Sequence, residues 1–453
     1  MDELTEARAA ALAAMENREQ ELLSELISPI DRLPDESLLR VLEFYLEEAA
    51  QTCDVYIRAK RELASVSRRW RDLILHSPSL WTLLKVTSSW SEARAKIYMT
   101  RSSQSLLDIV IRFRGYGSYA DEETLLNVLA SGAHRWRSLT IHNDTDEYYG
   151  AMVLEWLNHL SFPSLKRVSI TNYFAPLRMQ GEPYQPIFLR PQISPHLEQV
   201  HLHVYVSNAA LIIPHPSLLE GLSCLGLTSL CISGYADDIN LRPNCMQLPL
   251  LEEFVCTLTY AKSLIHALDA PRLRHFDCSP SSWNDSPSTI FADLHSKFNS
   301  VDHLHLSGST AYVLSEAVCL AFPNVCDLQL TQCLGVLLDS CPADFLGDAL
   351  HWKNLKHLTI DSTVGTDLGS LDGLVAWLLQ RLNAGQSKLH VTVTARGCGT
   401  PSLFQKLTEL CYLEWLDIYY NAAVMRRQSQ SGSQAWVVRI HSIESAFRNA
   451  HIM

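Results

Sequence analysis

A phrase of the form apolar-x-x-Leu-x-Leu recurs along most of this chain and limits the fold more than any other feature. It reads WRSLTI at 136–141, LKRVSI at 165–170, LEQVHL at 197–202, LEEFVC at 251–256 and LRHFDC at 273–278. It returns as VDHLHL at 301–306, VCDLQL at 325–330, LKHLTI at 355–360 and LEWLDI at 413–418. The second apolar position of each copy falls at 139, 168, 200, 230, 254, 276, 304, 328, 358, 391 and 416. Successive copies therefore lie between 22 residues (254 to 276) and 33 residues (358 to 391) apart. A six-residue phrase with alternating apolar positions is a short strand, and the rest of each period must bring the chain back to begin the next one. Several of these return segments read as helices, among them Ser315–Phe322 and Leu371–Leu382. The uneven period predicts insertions, the clearest at Pro176–Pro195, where five prolines occur.

At 453 residues the chain is too long for one compact core. The repeats answer this, because a stacked array grows without needing a larger core. Apolar residues make up 47% and charged residues 19%, an ordinary folded composition. The net charge of −12 argues against a general nucleic-acid binder, which needs an excess of Lys and Arg to neutralise phosphates. The 12 cysteines are scattered, with no C-x-x-C pair. Cys231, Cys256 and Cys278 stand where apolar strand residues are expected, as small buried thiols would. No run approaches the ~20 apolar residues of a membrane span, and the acidic start lacks the pattern of a signal peptide. The expected location is cytoplasmic, nuclear or both.

The first eighty residues have a different texture. Residues 1–28 read as a helix with a partial stripe of Leu12, Met15, Leu22 and Leu26. Pro34 suits the first turn of a second helix, where its missing N–H is no loss, and Asp35 and Glu36 favour the positive end of its dipole. Leu38, Val41, Leu42, Tyr45 and Leu46 follow at i, i+3, i+4, i+7 and i+8, one apolar face. After a polar interruption at Gln51–Asp54, Leu63, Val66, Trp70, Leu73 and Ile74 mark one or two further helices. A helical unit of about fifty residues buries few large side chains internally, so part of this stripe is left for a partner.

These segments resemble an F-box. IDRLPDESLLRVL at 30–42 is similar to its opening, and LASVSRRWRDLI at 63–74 with SPSLW at 77–81 is similar to its close. The combination with irregular leucine-rich repeats resembles F-box proteins abundant in mushroom-forming fungi. The resemblance implies an α+β protein: a small N-terminal helical F-box followed by an irregular α/β leucine-rich-repeat solenoid. The expected boundaries are 1–28 for the first helix, 29–82 for the F-box and 83–425 for the solenoid. A flexible linker at 426–435 and a terminal strand and helix at 436–453 complete the chain. The resemblance also implies docking on a Skp-family adaptor, and through it on a cullin, with the repeats holding a protein substrate. Leu33, Pro34, Leu38, Val41, Leu42, Val66 and Trp70 match the adaptor-contacting motif. Ser37 stands where an apolar residue is usual, and Leu42 where Phe is usual. A non-ligase interaction scaffold built from the same modules would carry the same signatures.

If the phrases stack as parallel strands, the residues between the apolar positions line the exposed face. One row then reads Arg167, Gln199, Ser229, Glu253, His275, His303, Asp327, His357, His390 and Trp415. The next includes Ser169, His201, Asp277, His305, Gln329, Thr359 and Asp417. Glu253, His275, His303, His305, Asp327 and His357 are the candidate substrate-binding residues. The bland reading is an exposed polar face; the same side chains are competent as metal ligands or as a pH-sensitive patch. No G-x-S-x-G, P-loop, H-E-x-x-H or dinucleotide fingerprint occurs. The expectation is a non-catalytic subunit without a cofactor or dedicated metal, binding neither nucleic acid nor membrane.

Overall fold

Several strands of the repeats are introduced by a tight turn, which the sequence writes in some copies as X-Pro-x-Leu. In the computed structural model the Leu165 amide donates to the Phe162 carbonyl at 3.2 Å, Leu251 to Leu248 at 3.1 Å and Leu273 to Ala270 at 3.1 Å. Pro163, Pro249 and Pro271 occupy the second turn position, where a fixed φ is already correct. The turn also forms without proline, from Val301 to Phe298 at 3.2 Å and from Leu355 to Trp352 at 3.0 Å. The first apolar residue of the phrase is thus the last residue of the turn. Leu165, Leu251, Leu273, Val301 and Leu355 are all buried there.

The structure describes residues 11–18, 29–50, 53–113, 119–143, 153–173, 187–204, 222, 226–234, 241–259, 261–279, 287–307, 316–331, 352–362, 372–395 and 401–417. They belong to two units, one of residues 1–109 with 118–132 and one of residues 110–117 with 133–453. The expected linker at 426–435, the terminal elements at 436–453 and most of the 1–28 helix lie outside the described residues. Residues 11–18 are helical, with Leu12 and Met15 exposed. No described helix is long and apolar enough to cross a membrane.

The first unit holds α1 (Asp35–Ala49), α2 (Cys53–Val66), α3 (Arg68–His76) and α4 (Glu92–Arg101), with strand β1 (Leu83–Thr87) and residues 107–109 of β2 (Leu107–Phe113), whose remaining residues belong to the second unit. Pro34 is the N-cap of α1 rather than a residue of its first turn. Ser67 separates α2 from α3 and caps the latter, its hydroxyl accepting from the Trp70 amide at 3.2 Å. Leu38, Leu42 and Leu46 of α1, Tyr56 and Ala59 of α2, and Trp70 and Ile74 of α3 are buried together with Leu80 and Trp81. Arg69 ties the start of α3 to that of α1, donating to the Asp35 carboxylate at 2.6 Å and to the Leu33 carbonyl at 2.5 Å.

A lysine lies in this core. The Lys60 ammonium donates to the Leu80 carbonyl at 2.7 Å and sits over the rings of Tyr56, Trp81 and Tyr98 at 4.6, 4.6 and 4.9 Å. Burial, with the charges of Arg94 and Arg101, pushes it from its ordinary 10.5 down to about 7; the ring faces offset part of that penalty.

Among the described residues, the second unit forms a ladder of eleven strands in chain order, apart from one short pair. These are β3 (Trp136–Asn143), β4 (Arg167–Tyr173), β5 (Gln199–Val204), β6 (Ser229–Gly234), β8 (Glu253–Leu258), β10 (His275–Cys278), β11 (His303–Ser307), β12 (Asp327–Thr331), β13 (His357–Ser362), β14 (His390–Ala395) and β15 (Tyr412–Asp417). Neighbouring strands along it pair in parallel. The two-residue strands β7 (Met246–Gln247) and β9 (Leu268–Asp269) pair separately. Return helices are present at Glu316–Ala321 and Asp372–Asn383, as the sequence predicts, and also at Lys262–Ala267 and Pro401–Leu410. Gly385, at φ 75°, follows the Asp372–Asn383 helix in the left-handed conformation that ends helices. The arrangement is consistent with a leucine-rich-repeat-like α/β solenoid.

The register matches the expected one from β4 to β14. Val168, Val200, Leu230, Phe254, Phe276, Leu304, Leu328, Leu358 and Val391 lie opposite one another, strand by strand. The last strand differs. Leu413, not Leu416, pairs with Val391, which puts Tyr412 and Glu414 in the two exposed rows instead of Trp415 and Asp417. The cause is a double reading of the sequence: Leu410, Leu413 and Trp415 satisfy the same phrase three residues earlier. Cys231 is also corrected. It pairs with His201 and Val255 on the polar face, whereas Cys256 and Cys278 are buried in the core.

The core between strands and return segments is aromatic at its centre. Phe276 lies 5.0 to 5.9 Å, ring to ring, from Phe254, Phe291, Phe298 and Phe322. Phe276→Ala is expected to destabilise the second unit by about 3–5 kcal/mol, read as a lower midpoint in chemical denaturation. Lys60 gives a second expectation. Between about pH 7 and 10.5 the unfolded chain holds a proton that folded Lys60 has released, so stability rises with pH across that window. Thermal melts at pH 6.5 and 9.5 should show a smaller rise for Lys60→Met than for the parent chain.

Candidate functional site

In-register parallel pairing brings one residue of each strand to within about 4.8 Å of its counterpart. The row beginning each strand contains Glu253, His275, His303, Asp327, His357 and His390 in direct succession. The next row on the same face contains Asp277, His305, Gln329 and Thr359. All six proposed substrate-face residues therefore lie on one side of five adjacent strands, β8 and β10 to β13. They do not form one continuous network. Glu253 accepts from the Ser229 hydroxyl at 2.8 Å, on the side away from His275.

The closest interactions centre on His303 and His305. His303 Nδ1 lies 2.9 Å from Asp327 Oδ2, and its Nε2 lies 3.6 Å from Asp302 Oδ1. The His275 and His303 rings stack at 4.5 Å, inclined by 13°. His357 and His390 form a second stack at 5.2 Å, continued by Tyr412 at 4.8 Å. His305 is held on both sides, Nδ1 at 2.8 Å from Asp277 Oδ2 and Nε2 at 2.8 Å from the Thr331 hydroxyl. Cys231 lies on this face too, and burial pushes its thiol up to about 12, so it is protonated and inert at neutral pH.

Asp302 and Arg274 escape a reading of the two exposed rows, because they belong to the residue just before each strand. That position forms its own backbone chain. The Asp302 amide donates to the Arg274 carbonyl at 3.1 Å and the Cys326 amide to the Asp302 carbonyl at 2.8 Å. The Arg274 guanidinium donates to Asp302 Oδ2 at 2.8 and 3.2 Å. Burial alone would raise the Asp302 carboxyl, but Arg274, His303 and His275 together hold it below the ordinary carboxylate range. Opposite charges at this position on neighbouring strands, also seen as Lys166 and Glu198 at 2.7 Å, are the signal that would have found the pair.

A second surface lies on the first unit. Of the residues matching the adaptor motif, Leu38, Leu42 and Trp70 are buried in the unit's own core and Leu33 is half-buried. Pro34, Val41 and Val66 are exposed, the last two by 50% and 59%. The structure adds Phe44, 73% exposed, and Tyr45, 47% exposed. Val41, Phe44 and Tyr45 stand at i, i+3 and i+4 on α1, so they form one patch. Leu38, Leu42 and Leu46 turn inward at strict fourfold spacing while Val41 and Tyr45 flank them, dividing what the sequence presents as a single stripe.

No protein-family model matches the sequence, and no curated protein matches it at a significant level.

Proposed function

We propose that this chain is the substrate-recognition subunit of a Skp–cullin–F-box type ubiquitin ligase. The helical N-terminal unit docks a Skp-family adaptor, and the leucine-rich-repeat solenoid binds a protein substrate on its His/carboxylate face. The observation that carries this reading is the apolar patch of Val41, Phe44 and Tyr45 on α1, with Val66 and Pro34 exposed on the same unit. Large apolar side chains grouped on a small helical unit mark a protein-interaction surface. They accompany the two-part F-box-like sequence at 30–42 and 63–81. The adaptor-contacting set is accordingly Pro34, Val41, Phe44, Tyr45 and Val66, while Leu38, Leu42 and Trp70 hold the unit in shape.

Co-purification with a Skp-family adaptor tests the docking. The intact chain should retain the adaptor, and Val41→Asp with Phe44→Asp should weaken capture at least tenfold while the far-UV spectrum and melting temperature stay unchanged. Absence of adaptor binding by the intact chain would remove the reading. On the repeats, His303→Ala with Asp327→Ala is expected to reduce substrate capture by a stalled ligase without loss of fold, since both side chains are partly exposed. Undiminished capture would move the substrate surface elsewhere.

A further inference from the structure

We propose that His275, Asp302 and His303 bind a divalent transition metal ion, zinc being the best match, on the exposed face of strands β10 and β11. The donor atoms of these three residues lie within 4.8 Å of one another. Two imidazole nitrogens and one carboxylate oxygen suit zinc; calcium and magnesium call for oxygen donors throughout. This inference does not depend on the ubiquitin-ligase reading, because the donor set is present whatever the repeats or the N-terminal unit bind.

The supporting contacts around the donors carry the argument. Asp327 Oδ2 is 2.9 Å from His303 Nδ1. An Nδ1–H donated to Asp327 leaves the Nε2 lone pair for a metal, on the side of the ring that faces Asp302 Oδ1. A carboxylate behind an imidazole in this way is the usual outer support of a histidine ligand. Asp302 is supported likewise. Arg274 occupies its Oδ2, while Oδ1 is buried without a hydrogen-bond partner among the described residues. A buried bare carboxylate oxygen requires an explanation, and a cation supplies one.

Spacing agrees with this. The 3.6 Å between Asp302 Oδ1 and His303 Nε2 is too long for a hydrogen bond. It is close to the ~3.3–3.4 Å that separates two tetrahedral ligand atoms when each bond is ~2.0–2.1 Å. His275 is the exposed member of the three and stacks on His303 at 4.5 Å, so metal binding requires its ring to turn out of the stack and bring a nitrogen toward the same point. Three protein donors leave at least one position open, for water or for a donor from a bound partner.

The neighbouring histidines provide the contrast. Both nitrogens of His305 are engaged, by Asp277 and Thr331. Beside the His357 and His390 stack lies Asp327, whose Oδ1 is 4.0 Å from His357 Nε2 and whose Oδ2 is taken by His303. A surface that merely happens to be rich in histidine would bind metal through either stack. The proposed site uses only the first.

The test is a titration of the full-length, chelator-treated chain with zinc by calorimetry, and with cobalt(II) by visible absorption. One equivalent is expected, with a visible cobalt band of tetrahedral or five-coordinate intensity. His275→Ala and His303→Ala should each weaken binding by tenfold or more. Asp327→Asn, which leaves all three donors in place, should weaken it by about tenfold through loss of orientation. His357→Ala should bind as the parent does. Thermal melts without metal confirm that the variants fold. Absence of stoichiometric uptake, undiminished binding by His303→Ala, or an equal loss in His357→Ala would each overturn the proposal.

Discussion

The second unit depends on one repeated backbone hydrogen bond, from the amide just before each strand to the carbonyl at the same place in the strand before it. It runs from Glu198 to Lys166 at 2.8 Å, from Glu252 to Thr228 at 2.9 Å, from Arg274 to Glu252 at 2.9 Å and from Lys356 to Cys326 at 2.8 Å. The turn before it buries one apolar residue, and the strand after it buries two more, two residues apart. Starting every strand at the same level fixes the register, and register in turn decides which side chains meet. Histidines that are 28 residues apart in the chain at 275 and 303 stack face to face for this reason.

The first unit follows a different constraint. It has few interior positions, and Leu38, Leu42, Leu46, Trp70 and Ile74 fill them. Lys60 occupies an interior place that an apolar residue would usually take, held by three ring faces and a carbonyl. The helices are thus fixed by internal contacts, and the apolar residues left over on α1 are presented outward on a framework that does not rely on them.

Much of this was legible in the sequence, because the phrase carries both period and facing. Alternation told the buried Leu304 and Leu306 from the partly exposed His303 and His305 of the opposite face. Legibility failed where two readings scored alike. The last strand offered Leu413 or Leu416 as its anchor, and only pairing with β14 separates them. On α1, Val41 and Leu42 are equally apolar; which one is buried depends on how the neighbouring helices pack. Asp302 was missed for a third reason. Its importance comes from Arg274 and His303, which meet it only after strands are stacked, and one local stretch of sequence cannot reveal that meeting.

The separation between a fixed strand start and a variable return segment has a further consequence. Spacing between successive strands ranges from 22 to 33 residues, yet the rows stay aligned from β4 to β14. The variation in length falls between the strands and leaves the order of the displayed side chains intact. Such a chain can lengthen, shorten or exchange its connecting segments over evolutionary time while each strand keeps contributing one character to each column of the same inscription. A single substitution rewrites one character and leaves its neighbours readable.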